Sequence, residues 1–84
     1  SIDLRSGWNF VGINRLFDYK TLAQLKGDCT IERAYMFDAS TQSWRNVDIS
    51  STQFTDNDRW EGMIVRVSSN CSLGAVVLSP PALP

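Results

Sequence analysis

The chain has no histidine, only two lysines among its eight basic residues, and only two cysteines. Without an imidazole, a serine has no ordinary base beside it, so the many serines are not nucleophiles of a Ser-His type. Two separated cysteines and no histidine also miss every common zinc spacing. Glutamate is scarce too. Glu32 sits next to Arg33 and Glu61 lies two residues from Arg59, which suits paired surface groups better than a general acid and base across a glycosidic bond. The basic and acidic residues nearly cancel, at a formal net charge of −1, so no stripe exists to follow a phosphate backbone. No apolar run reaches the length of a membrane span, and no signal peptide is recognisable. These absences argue against an enzyme, a nucleic-acid partner and a membrane partner.

What remains is rich in rings: three tryptophans, two tyrosines and four phenylalanines in 84 residues. One domain of this size buries only about 60–65% of its unfolded surface, so a covalent staple would help it. Cys29 and Cys71 could be free and buried, as in a cytosolic protein. Small size, an even pair and little lysine favour a disulfide and a secreted, extracellular protein. Such a bridge closes a loop worth about 4 kcal/mol by chain entropy.

Turn signals divide the chain into short strands. Residues 7–13 are apolar on both alternating sets, which suits a strand covered on both faces. Asp18 is placed to cap a short helix carrying Leu22 and Leu25 on one side, with Gly27 to stop it. Residues 30–38 and 43–49 read as a hairpin around the polar turn 39–42. Residues 50–58 read as a loop in which Phe54 plugs the core. The segment 61–68 is a strand with Met63, Val65 and Val67 on one face, and 73–78 supplies the last strand. The expected fold is all-β, a small β-sandwich or open barrel with one short helix and one disulfide, spanning residues 1–78. Residues 79–84 read as the start of a Pro-rich linker, so the chain is expected to be a monomeric module cut from a longer protein.

Trp60 is the ring least suited to burial, because Asp56, Asn57, Asp58, Arg59 and Glu61 surround it. Along the hairpin, Arg33, Tyr35 and Phe37 share one face and Trp44 shares one with Asn46, opposite to Arg45. Trp8, Phe10, Phe37 and Phe54 are most simply core. Rings lie well against the flat faces of a sugar, while polar side chains reach its rim. The candidate carbohydrate-binding residues are therefore Trp60, Tyr35 and Trp44 for stacking, with Arg33, Asn46, Asp58, Glu61 and Arg66 for hydroxyls. Asp56 and Asp58, joined in space by Asp48, offer oxygen ligands for a structural Ca²⁺, although a solvated turn explains them more simply.

Gly7-Trp8-Asn9, Tyr35-Met36-Phe37-Asp38 with its following turn and Trp44, and Gly62-Met63-Ile64-Val65-Arg66-Val67-Ser68 together resemble a small β module appended to secreted bacterial hydrolases and surface proteins. The likeness covers most of residues 7–73 and is similar in particular to the family 81 carbohydrate-binding module of a bacterial endoglucanase. That resemblance implies a compact β-sandwich that binds cellulose-type β-1,4-glucan and also β-1,3-glucan, without catalysis, beside a tethered catalytic domain. Arg59-Trp60-Glu61 departs from it, since the broader module tends to have a tight Pro-Gly turn there. The competing expectation is a structural or adhesive β-sandwich that spaces domains or binds protein.

Overall fold

The computed structural model describes residues 2–74. Six strands and one short helix follow one another as β1 (Ile2–Leu4), β2 (Gly7–Gly12), α1 (Leu22–Leu25), β3 (Ile31–Asp38), β4 (Ser43–Asn46), β5 (Gly62–Val67) and β6 (Cys71–Leu73). They form two antiparallel sheets, a pair β1-β6 and a four-stranded sheet in the order β2-β5-β3-β4. The small all-β fold is the expected one. The β1-β6 pair, from the two ends of the described chain, was not legible in the sequence.

Strand β5 decides which side of the large sheet is inside. Met63, Val65 and Val67 are almost wholly buried, and successive strand residues alternate in facing. The register sets Ala34 and Met36 of β3 opposite Val65 and Met63, and sets Val11 of β2 opposite Met63. This inner face is covered by the segments that join the strands. They contribute Ile13, Phe17, Leu22, Leu25, Val47 and the fully buried Phe54, while Leu4, Cys71 and Leu73 close the end under the small sheet. Phe17 and Phe54 meet edge to face, their centroids 5.3 Å apart. Phe54 is thus the plug expected from its place in a polar loop.

The helix is shorter than its expected span and is capped by a different residue. Thr21 Oγ1 accepts from the Gln24 amide, and Gln24 Oε1 accepts from the Thr21 amide in return. Asp18 does not cap. Residues 19 and 20 are held by bonds to the Phe54 backbone, Tyr19 N–H donating to Phe54 O and Phe54 N–H to Lys20 O, with Tyr19 in a left-handed turn at φ of 59°. The helix starts only beyond that bridge, and Asp18 turns to Arg59 instead. Gly27, with φ of 55°, takes the left-handed stop just past the helix, as expected.

Cys29 and Cys71 form the disulfide, with Cα atoms 5.1 Å apart. It ties the turn after α1 to the first residue of β6. Strand β6 covers 71–73; residues 75–84, which hold most of the strand expected at 73–78 and the linker expected at 79–84, lie outside the described residues.

Candidate functional site

The outer face of the large sheet carries the rings. The pairs Trp8–Arg66, Phe10–Ile64 and Gly12–Gly62 join β2 to β5. Across β5, Arg66 faces Arg33 and Ile64 faces Tyr35, while Tyr35–Asn46 and Phe37–Trp44 carry the face on to β4. All of these residues alternate with the buried set, so they project together away from the core. Phe10 is 87% exposed, Trp8 48% and Trp44 49%. Tyr35, Phe37 and Ile64 are half-buried among them. Among the described residues no element covers this face.

Three expectations are corrected here, because Trp8, Phe10 and Phe37 are not core. Strand β2 is covered on one face only, and its inward set is Asn9, Val11 and then Ile13. Apolarity alone favours turning Trp8 and Phe10 inward. The reverse register is tolerated because Asn9 is satisfied locally. Its amide donates to Arg5 O at 2.7 Å and Gly7 O at 3.1 Å, and its Oδ1 accepts from Arg5 N–H at 2.9 Å. With that polar group paired, its partial burial is cheap.

The face is organised by contacts among its own groups. The Arg66 guanidinium stands over the Trp8 ring, 5.9 Å from its centroid. Trp8 and Tyr35 are 6.1 Å apart and tilted, and Phe37 and Trp44 meet edge on at 5.2 Å. Arg33 reaches the Tyr35 hydroxyl at 3.4 Å, and this bond holds the guanidinium pKa above its usual value. Directly opposed like charges disfavour a sheet, yet Arg33 and Arg66 are register partners. A β-bulge between Ile31 and Arg33 leaves Glu32 to offset them, 3.4 Å from Arg66. Two guanidiniums kept side by side on a ring-lined surface are donors available to an acceptor-bearing ligand.

Gly12 and Gly62 leave a bare strip at the end of the face, beyond Phe10 and Ile64. Neither has left-handed backbone, and a Cβ at either would meet nothing within 4 Å. Internal packing and conformation therefore leave both residues unconstrained.

Five of the sequence candidates, Tyr35, Trp44, Arg33, Asn46 and Arg66, lie together on this face. Trp60 stands apart at its end, 92% exposed, in the loop before β5. Asp58 is not brought to the face. Its Oδ2 accepts from Thr55 N–H at 2.8 Å, and its Oδ1 looks 3.9 Å toward Arg45, which alternates with Trp44 and Asn46. Glu61 is half-buried and, one residue before Gly62, falls on the alternate set. The rings that sequence reasoning missed, Trp8 and Phe10, had a legible spacing of two, but the inward Asn9 hid their direction.

The oxygen ligands proposed for Ca²⁺ do not assemble. Asp48 accepts from the Ser50 and Ser51 amides at 3.0 and 3.1 Å and so closes a turn, which holds its carboxyl below the usual range. Asp58 is taken up by the Thr55 cap. Among the described residues, the one cluster of three potential side-chain ligands is Asp28, Cys29 and Cys71, and both of its sulfurs are in the disulfide. Near it, a hollow of about 450 Å³ is lined by groups that bond one another, the Ser72 amide with Asp28 and its hydroxyl with Asp3.

Compared with protein-family models, with curated proteins and with solved structures, the chain matches none.

Proposed function

We propose that this domain is a non-catalytic carbohydrate-binding module that holds β-glucan chains against the outer face of its four-stranded sheet. The observation that carries the reading is the face itself. Trp8, Tyr35 and Trp44 offer flat rings there, Arg33, Arg66 and Asn46 offer donors around them, and the Gly12–Gly62 pair leaves the surface low at one end. An extended chain of sugar rings needs such a shallow alternation of apolar platforms and rim donors. The resemblance to family 81 modules points the same way. In this reading the domain is secreted, works as a monomer, and keeps an attached hydrolase near its polysaccharide by raising the local concentration. Affinity for a single chain is expected at about 10⁻³–10⁻⁵ M, because an open face engages few anchors.

The direct test is titration calorimetry of the domain with soluble β-1,4- and β-1,3-gluco-oligosaccharides, alongside Trp8→Ala and Trp44→Ala. Binding by the wild type that weakens about tenfold in each variant, with unchanged melting, supports the face as the platform. Absence of heat with glucans, xylans and mannans alike would remove the reading.

One observation favours a second reading, a protein-binding or spacer domain. Phe10 and Ile64 are opposed at the middle of the face and bring no polar group to a sugar rim, whereas a protein partner would bury them well. Phe10→Ser separates the two. Glycan affinity should change little if the tryptophans carry it, and a protein complex should be lost.

A further inference from the structure

Beyond the bare Gly12–Gly62 strip, the β2–β5 pairing continues for one more step. Ile13 N–H donates to Glu61 O at 3.1 Å and Trp60 N–H donates to Ile13 O at 2.8 Å. At this end lies a cleft of about 350 Å³ lined by Asn14, Arg15, Arg59 and Trp60. Trp60 has φ of 72°, a left-handed backbone that a bulky residue adopts only when its surroundings impose it. The surroundings do so here. The reciprocal Thr55–Asp58 cap, the Asp18–Arg59 ion pair and the Trp60–Ile13 bond fix the chain on both sides of the indole. The outcome is an indole on a fixed backbone position, turned almost entirely to solvent, which brings no packing to the fold.

The chemistry of the cleft is one-sided. Asn14 Oδ1 is spent on the Leu16 amide at 2.8 Å, which leaves its Nδ2 as a donor. Arg59 is held by Asp18. Arg15 makes no ion pair and no side-chain hydrogen bond among the described residues. With the indole N–H, the side chains of the lining present more donors than acceptors, and Arg15 is the one whose charge no ion pair takes up among the described residues. Neutral hydroxyls donate as well as accept and would leave part of their own capacity unmet there, whereas a carboxylate only accepts. Deepening the carbohydrate reading and resting on it, we infer that this cleft takes a carboxylated pyranose, a uronic acid unit or branch on a β-linked chain. The ring lies on Trp60, and the carboxylate faces Arg15 and the Asn14 amide.

The test compares cellohexaose with the same oligomer oxidised at C6 to glucuronate units, by calorimetry at low salt. The expected result is binding about three- to fivefold tighter for the oxidised oligomer, the scale of one exposed ion pair. That preference should shrink toward unity at about 0.5 M salt. In Arg15→Gln the ratio between the two oligomers should fall to near one, while Lys26→Gln, at the C-terminal end of α1 and outside the cleft lining, keeps it. If cellohexaose binds and oxidation brings no gain, or if Arg15→Gln keeps the ratio, the cleft proposal is overturned and the reading of the sheet face stands. If only the oxidised oligomer binds and needs Arg15, the cleft stands and the face reading falls. If neither binds, both fall. A short polyglutamate that competes as well as the oxidised oligomer would assign the cleft to acidic peptides and overturn it for sugars.

Discussion

Trp60→Gly is expected to leave the domain about as stable as the wild type, although it removes the largest side chain a protein has. Three terms decide this. With Trp60 92% exposed, the ring buries so little area that its loss costs below about 0.5 kcal/mol. Glycine in place of a non-glycine residue at φ of 72° relieves about 1–2 kcal/mol of left-handed strain. The added freedom of glycine in the unfolded chain costs about 0.5–1 kcal/mol. The sum lies between about 0.5 kcal/mol of loss and about 1.5 kcal/mol of gain, against a loss of about 3–5 kcal/mol for a tryptophan truncated in a core. Trp60→Ala keeps the strained backbone without the ring, so it should be less stable than Trp60→Gly by about 1 kcal/mol. Urea unfolding of the three proteins, read by circular dichroism so that the lost fluorophore does not matter, measures both differences. A loss of 2 kcal/mol or more in Trp60→Gly, or alanine as stable as glycine, would refute a strained, unpacked indole.

Further outcomes follow from other parts of the fold. Gly62→Val should fold with unchanged or slightly higher stability, by up to about 1 kcal/mol, since a β-branched residue suits an unobstructed strand site. Its glucan affinity should nevertheless fall severalfold in calorimetry if a sugar ring rests on that strip. Reducing the Cys29–Cys71 bridge, which separates residues 42 apart, should lower stability by up to about 4 kcal/mol in thermal melts with and without reductant. Acid should weaken the Asp18–Arg59 tie. The guanidinium hydrogen bond holds the Asp18 carboxyl below its usual value, so its contribution is complete above the unfolded pKa of about 3.9 and disappears as pH falls through the lower folded value. Asp18→Asn should therefore flatten the stability profile below about pH 4 in pH-dependent melts.

The sequence made the strands legible where one face was unambiguous. Met63, Val65 and Val67 alternate with Gly62, Ile64 and Arg66, so β5 and its inward set were readable directly. The hairpin of β3 and β4 was readable too, including Tyr35 with Phe37 on one side of its strand and Trp44 with Asn46 on one side of theirs, but not that the register joins the two sets nor the direction they point. Direction depends on tertiary register, and in β2 that register runs against hydrophobicity. Trp8 and Phe10 turn outward while Asn9 turns in, because the Asn9 carboxamide finds its partners in the Arg5 and Gly7 backbone. The helix cap was misplaced for a similar reason, since the Phe54 backbone claims residues 19 and 20. Trp60 was legible from its charged neighbours alone. Its left-handed backbone and the donor-rich cleft beside it are products of the fold.

Glucan binding by the ring-lined face is decided by native affinity electrophoresis in gels with and without soluble β-glucan, run on wild type and a Trp8→Ala/Trp44→Ala double variant. Glucan should retard the wild type, the double variant should migrate as in the sugar-free gel, and both should melt cooperatively within a few degrees of one another. Equal retardation of a folded double variant would contradict the assignment of glucan binding to the ring-lined face, and no retardation of either would contradict the carbohydrate role.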